Sequence, residues 1–349
     1  MGSTSRQSEP SSLLLHGHER SADFFSSSRD QYPSRVPADF LASLAEQREK
    51  GFQILMVDRS DQERHLDPMF QVEVIHLRNF LEASYAKGHN QAIAFALQRW
   101  PREQWQERFI ILTRPETVFH PACLEVFAQA FARDPALVIA GPKMLLAEAQ
   151  TSLDQDAMEL QLTRTVYEVG YECRKNRHLR FSFAGEEDKN TYSSQGVFGI
   201  SEPCIVIRAS ALDVLAEGSE RWLDESLPRG QELVDLCWRA HQYGLVVKTV
   251  PEACVWFLPS ELREQSSHRR HIYLSGPVRE KNDWISVELL HLPWIVASML
   301  RSGFYLLTHP GELASRVRSW YAWHRSRKPA TMQKGQKQVS IAEMRRWFV

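Results

Sequence analysis

The stretch WLDESLPRGQELVDLCWRAHQYGLVVKTVPEACVWFL, residues 222–258, decides the reading of the chain. It opens with a turn at Pro228, Arg229 and Gly230. Apolar residues follow at Leu233, Leu236 and Cys237, with Tyr243 further on, which is the spacing of one helix face. Gly244 stands where a helix C-terminus wants a residue tolerant of positive φ. Leu245 to Val250 then reads as a buried strand, stopped by Pro251, which has no N–H for a ladder. An acid-bearing turn feeds a helix, and the helix feeds a core strand.

Outward from this stretch, further elements can be placed. Ser12 to His16 reads as a short first strand, followed by a Ser-rich loop from Ser21 to Ser34, and Phe40 to Glu49 has helical spacing. Gln53 to Val57 is a buried strand ending in Asp58-Arg59-Ser60-Asp61, and Val72 to Leu77 is the next strand. An acid such as Asp58 at the carboxyl end of a parallel strand lies where open α/β sheets bind ligands; a solvated turn is the alternative. A helix from Gln91 to Gln98 presents free backbone N–H groups at its start, suited to phosphate or ribose. Phe109 to Leu112 is a central strand followed by Thr113-Arg114-Pro115-Glu116-Thr117. Helix Cys123 to Arg133 and strand Leu137 to Ala140 come next. Residues 145–195 read as polar and irregular, with Tyr167 to Tyr171 the one strong strand candidate. Gly196 to Arg208 reads as a strand and Ala211 to Glu217 as its following helix.

The order and register of these motifs resemble the family-2 glycosyltransferases, especially their rhamnosyltransferase-like branch. Laid over the family pattern without a gap, Asp224 and Glu225 take its first acid pair and Glu232 the E of its E-D. Asp235, Leu236, Cys237, Trp238 and Arg239 take D-L-C-W-R, and Pro251, Glu252 and Ala253 take P-E-A. Tyr85 to Asn90, with Lys87 inside it, resembles the segment that opens a helix against the sugar nucleotide. His120-Pro121, Gly141-Pro142-Lys143, Lys281-Asn282 and the ending Glu343 to Phe348 continue the likeness. His18-Glu19-Arg20 stands where the family has Y-N-R. The resemblance covers about Gln53 to Asp283 well and the tail loosely. It implies an α/β fold of the GT-A type, with a mostly parallel sheet flanked by helices over residues 11–275. Residues 1–10 are expected to be disordered, and 276–349 to form a helical, basic C-terminal extension.

Four positions depart from the family. Its catalytic aspartate falls on Leu233 and its metal-binding histidine on Phe257. Arg114 takes the place of a polar ligand, while Glu116 replaces the aspartate that binds Mn²⁺ or Mg²⁺. A guanidinium repels a divalent cation but grips phosphate oxygens in a bidentate way. The resemblance therefore implies nucleotide-sugar binding by Asp58, Lys87, Asn90, Arg114 and Glu116. Glu232 and Asp235 are the candidate catalytic groups, and Asp224, Glu225, Trp238 and Arg239 lie on the acceptor side. No cofactor and no divalent metal is expected. Neighbouring helix positions point about 100° apart, so Glu232 replaces the base at Leu233 only by a rearrangement. Two functions follow. One is metal-independent transfer from a nucleotide sugar to a glycan or lipid-linked acceptor in cell-envelope or exopolysaccharide assembly. The other is a pseudo-glycosyltransferase kept as a binding or scaffold partner. Asp235 and Arg239 also suit a local i,i+4 pair, and Trp238 suits a core position.

Composition bounds the rest. The 349 residues carry a formal net charge of −1, yet Ala314 to Val349 holds nine Lys/Arg against one acid, Glu343. Trp320, Tyr321, Trp323, Trp347 and Phe348 lie among those cations, which suits an anionic membrane surface; a solvated helical appendage is the alternative. No reader motif points to nucleic acid. Ile285 to Leu307 is interrupted by Glu288, His291, Pro293 and Arg301, too broken to span a bilayer. The polar start has no signal-peptide core, and the five cysteines, scattered without a CxxC pair, suit reduced core thiols. The expected place is the cytoplasm, at the inner face of the membrane.

Overall fold

The structure is a computed structural model that describes residues 12–17, 36–58, 74–78, 85–151, 158–218, 220–227, 230–259, 271–273, 278, 281–282, 292–293, 296–297, 300, 321 and 339–349. The disordered N-terminus, the His18–Arg20 motif, the Ser-rich loop, Asp61 and the Pro228–Arg229 half of the turn lie outside these residues.

The elements run β1 (Ser12–Gly17), α1 (Val36–Ala45), β2 (Phe52–Asp58), β3 (Val74–Arg78), α2 (Tyr85–Arg99), β4 (Phe109–Thr113), β5 (Thr117–Phe119) and α3 (Cys123–Arg133). They continue with β6 (Leu137–Thr151), β7 (Met158–Glu168), β8 (Tyr171–Cys173), β9 (His178–Phe181), β10 (Cys204–Arg208), α4 (Ala211–Leu215), α5 (Glu232–Gln242), β11 (Val246–Phe257) and β12 (His271–Tyr273). The main sheet has the order β3-β2-β1-β4-β10-β6-β11-β5, with β7 hydrogen-bonded to β6. From β3 to β4 every pairing is parallel. β10 is antiparallel to both β4 and β6, and β6 and β11 are parallel again.

The central strands are those with unbroken apolar runs. All five residues of β4 (FIILT) and of β10 (CIVIR) are buried, as expected of strands covered on both faces. In α3, Cys123, Phe127 and Phe131 repeat every four residues and turn one face onto the sheet. Helix α5 is different, because every one of its residues is buried. Leu233, Leu236, Cys237 and Ala240 join the main core. Val234 and Trp238 join a second cluster with Tyr171, Phe198, Met344 and Phe348. With two apolar faces covered, the polar residues of α5 need partners inside the protein.

Several boundaries differ from the sequence reading. β11 is not stopped by Pro251 but runs on to Phe257. Its register against β6 jumps from Val250 to Cys254, so Pro251 sits in a bulge where no N–H is required. Much of 145–181 is strand rather than irregular, whereas 182–195 hold no helix or strand. β6 and β7 form a long antiparallel pair, and β8 and β9 build a small sheet with β12. Tyr167 to Tyr171 is a corner rather than a strand, because Gly170 at φ +72° breaks it between β7 and β8. Gly196 to Arg208 is strand only over β10, and the helix after it ends at Leu215. Gly244 has the expected positive φ, +72°. Four cysteines are buried and Cys254 half-buried, all with free thiols.

Candidate functional site

The parallel half of the sheet reverses its winding between β1 and β4. The chain goes from β1 outward to β2 and β3, and returns to the other side of β1 as β4. Open α/β sheets bind ligands in the crevice at the carboxyl ends of strands flanking such a switch. Arg114 is the first residue after β4. Its backbone N–H donates to Pro203 O at 3.4 Å, and Thr113 Oγ1 and Thr117 Oγ1 also donate to that carbonyl, at 2.9 and 3.1 Å. The arginine backbone is thereby fixed to the loop preceding β10.

The side chain of Arg114 is held as firmly. Its Nε donates to Glu116 Oε2 at 3.2 Å, and its guanidinium lies 5.2 Å from the centre of the Phe257 ring. Phe257 in turn packs edge-on to Tyr167 at 5.1 Å. The three departures from the family's metal motif, Arg114, Glu116 and Phe257, thus meet in space. Such a set does not fit a divalent cation. Glu116 is already paired with a fixed positive charge, and the phenyl ring offers no lone pair where the family has an imidazole. A planar cation over an aromatic face is the contact this set does suit. Among the described residues there is no group of three or more His, Cys, Asp or Glu side chains able to hold a metal.

The acidic loop 222–227 is pinned from two sides. Asn90 accepts from the backbone N–H groups of Trp222 and Leu223, at 3.0 and 2.9 Å, and donates to Leu223 O at 2.8 Å and Glu225 Oε1 at 3.1 Å. It lies in the second turn of α2, which starts at Tyr85, not at the helix entrance that the sequence reading placed at Gln91. Asn90 therefore holds protein rather than presenting a helix N-terminus to a ligand. Lys87, in the same helix, is half-buried, while Asp58 ends β2 as expected and its side chain is not described.

On the other side of the loop, Lys281 Nζ meets Glu217 at 2.6 Å, Asp224 at 2.8 Å and Asp235 at 2.9 Å. Asp235 also accepts from Arg239 Nε at 2.9 Å and Asn282 Nδ2 at 2.6 Å. Arg239 reaches the carbonyl oxygens of Leu215 and Trp222. Burial alone would raise the Asp235 carboxyl, but Lys281 and Arg239 outweigh it and hold it below the ordinary carboxylate range. Burial likewise opposes ionisation of Asp224, and Lys281 and Ser226 still bring it down to about 2. Asp235, expected to be a catalytic group, is placed inside this ionic network. It is fully buried, and the cations around it are committed to keeping it ionised. Arg239 and Trp238, expected on the acceptor side, are buried too. Trp238 packs between Phe198 at 5.6 Å and Phe348 at 5.5 Å. Lys281 is the residue that sequence reasoning missed. The Lys281-Asn282 pair resembled a family motif, but nothing in the sequence tied it to Asp235.

Glu232 opens α5 beside this network and has the opposite electrostatics. It is 2% exposed, and its Oε2 has no hydrogen-bond partner among the described residues. Burial pushes its pKa up to about 8, against the pull of backbone amides at 230–232, with Glu202 adding to the rise. Glu168, at the end of β7, is similar. Its Oε1 accepts from Ser201 N–H at 3.2 Å, its Oε2 has no partner among the described residues, and burial raises it to about 7. Both carboxyls change charge near neutral pH, which is the range a general acid or base needs. Leu233, at the family's base position, is core and takes no part.

Phe348 is buried under the Arg177 guanidinium at 4.3 Å, and Trp347 packs on His241 at 4.0 Å. Val349 N–H donates to Cys173 O and Lys175 N–H to Val349 O, so the chain end lies along β8. Phe348 is therefore a core side chain, and Trp347 is half-buried beside it.

The switch point, the clamped acidic loop and the mixed sheet define an α/β protein of the GT-A type. The crystal structure of GalNAc-T7 with UDP, GalNAc and Mn2+ matches 72% of this chain with a TM-score of 0.51 and 9% sequence identity. The match covers 44% of that protein's length, so this chain corresponds to less than half of it. The mannosyltransferase PcManGT from Pyrobaculum calidifontis, in complex with GDP-Man and Mn2+, matches 91% of this chain and 87% of its own, with a TM-score of 0.41 and 10% identity. No family model and no curated protein sequence matches the chain.

Proposed function

We propose that the chain transfers a sugar from a nucleotide sugar to a glycan or lipid-linked acceptor, without a divalent metal, in envelope or exopolysaccharide assembly. The observation that supports this reading is the Arg114 guanidinium, held by Glu116 and the Phe257 ring at the switch point of the sheet. In the reaction, the bond from the anomeric carbon to the diphosphate breaks and its electron pair goes to a phosphate oxygen. A preorganised guanidinium stabilises that charge at the moment it develops. The acceptor hydroxyl loses its proton to the Glu232 carboxylate, and its oxygen forms the new bond to the anomeric carbon. Because Glu232 titrates at about 8, transfer accelerates as pH rises toward that value and then levels off.

The test is a thermal-shift titration with a panel of nucleotide sugars, with Mn²⁺ and with EDTA. A ligand at about 100 times its Kd adds roughly 2.7 kcal/mol of stability. One nucleotide sugar should stabilise the protein equally under both conditions, and Arg114→Ala should weaken its binding at least about tenfold, a charge-assisted bidentate contact being lost. Glu232→Gln should keep that binding and lose about 10²–10⁴-fold in turnover. Stabilisation that appears only with Mn²⁺ would refute the guanidinium clamp. Binding without turnover in the unaltered protein would leave a carrier of the fold, not a transferase.

A further inference from the structure

One short stretch, residues 197–203, links Arg114 to α5. It runs along the helix from its end toward its start. His241 Nε2 lies 3.1 and 2.9 Å from the carbonyl oxygens of Val197 and Phe198, and the Cys237 thiol meets the Ile200 backbone. Two extended residues span about 6.6 Å and four helix positions about 6 Å, so the two keep pace. The next such step brings Glu202 to the first turn of α5, where Glu232 stands.

The turn that carries Glu202 is fixed on both sides. Gly199 and Tyr171 exchange backbone hydrogen bonds at 3.0 and 3.3 Å, and the Ile200 side chain fills the space that a Cβ at Gly141 would need. Ser201 N–H donates to Glu168 Oε1 at 3.2 Å, and the Pro203 carbonyl accepts from Arg114 N–H and the Thr113 and Thr117 hydroxyls. The neighbours of Glu202 are thus bound, one to a buried carboxyl and the other to the arginine clamp.

A half-buried carboxylate set against a buried one is a like-charge contact, which costs stability and so points to a task. The other charges around Glu232 are already matched. Asp235, one turn along α5, is bound by Lys281, Arg239 and Asn282; Arg114 is paired with Glu116, and Glu168 holds Ser201. The amides at 230–232 favour the Glu232 carboxylate, whereas burial and the Glu202 charge favour its acid form.

We infer that Glu202 is a positioning residue for Glu232, holding a negative charge at the start of α5 that sets when Glu232 can take the acceptor's proton. The role rests on the transferase reading, in which Glu232 is the base. The test compares Glu202→Gln, Glu202→Ala and Glu202→Asp with the unaltered protein in two readouts. The first needs no turnover. The gap in thermal midpoint between the protein and its Glu232→Gln variant opens as pH rises through about 8. With Gln or Ala at 202 it should open about half to one pH unit lower. The second readout is the pH dependence of nucleoside diphosphate release from the nucleotide-sugar panel, with water as acceptor. At about pH 6.5 both neutral variants should be about three- to tenfold faster than the unaltered protein, since the carboxylate fraction below its midpoint changes tenfold per pH unit. Damaged packing does not make a variant faster. Glu202→Asp keeps the charge and should return the profile toward the unaltered one. An unshifted gap, or a shifted gap with an unshifted rate profile, overturns the inference. So does failure of both neutral variants to fold, which would make Glu202 structural. No release by the unaltered protein would refute the transferase reading and this role with it, whereas an unshifted gap beside normal release removes Glu202 alone.

Discussion

Two groups of carboxyls end with opposite charge tendencies, although burial pushes both toward the neutral acid. Asp224, Asp235 and Glu217 face Lys281 and Arg239 at 2.6–3.5 Å. Glu168 and Glu232 face mainly backbone amides, and one oxygen of each has no partner among the described residues. Asp224 and Asp235 are held ionised, whereas Glu168 and Glu232 are pushed toward the neutral acid. Removing water is the same in both cases; the presence of a fixed cation decides the sign. One group is therefore a brace for the acidic loop, and the other retains a proton that it can exchange near neutrality. The site needs both, because a group can act as a base only if something else holds its surroundings still.

The largest expected effect comes from breaking the brace. Lys281→Met leaves three carboxylates with Arg239 as the remaining cation among the described residues. Removing one member of a buried ionic network costs about 3–5 kcal/mol, since the remaining charges are then uncompensated. Urea denaturation near neutral pH measures this directly. A loss below about 1 kcal/mol, the scale of an exposed pair, would mean that water already screens the network and that the contrast drawn above is wrong.

The second effect has a pH signature. Glu232 binds its proton more tightly in the folded state, where its pKa is about 8, than in the unfolded chain, where it is near 4.5. Its contribution to stability is present at acid pH and is lost as pH rises through about 8. Glu232→Gln mimics the neutral acid, so it should change little at about pH 5 and stabilise the fold by roughly 2–4 kcal/mol at about pH 9. Glu168→Gln should behave alike but with a smaller gain, because its pKa rises only to about 7. Thermal midpoints measured across that range decide the matter. A variant destabilised at all pH values would show that the carboxyl has a partner the native state depends on.

Sequence reading reached the elements that obey a local period. β2, β4, β10, α3 and α5 follow from apolar runs or helical spacing, and Gly244 from the helix end it closes. It did not reach features decided by distant residues. Pro251 reads as a stop because a proline cannot join a ladder, yet a bulge lets β11 pass it. Trp347 and Phe348 read as membrane contacts because the local context is basic, whereas their pocket is built by Phe198, Trp238 and His241. In the site, the resemblance located Arg114, Glu116 and Phe257 separately, and the fold brought them into contact. Asp235 looked catalytic for the same reason that Lys281 was overlooked: the two are 46 residues apart, and only the packed structure shows them as one network.

The smallest effect sharpens the comparison most. Asp224 is less deeply placed than Asp235, and accepts from Lys281 at 2.8 Å and from the Ser226 hydroxyl and N–H at 2.6 and 2.9 Å. Its pKa of about 2 lies below the ordinary value of 3.8, so its stabilisation is complete above that value and is lost as pH falls through about 2. Asp224→Asn should cost about 1–2 kcal/mol at neutral pH, and the difference from the unaltered protein should shrink toward zero in acid. Glu232→Gln should show the reverse slope, with no difference in acid and a gain in alkali. Opposite slopes from two carboxyls eight positions apart would mean that Lys281, and not depth, sets their charge. Parallel slopes would assign both to burial alone, and the distinction between a brace and a proton acceptor would have no electrostatic basis.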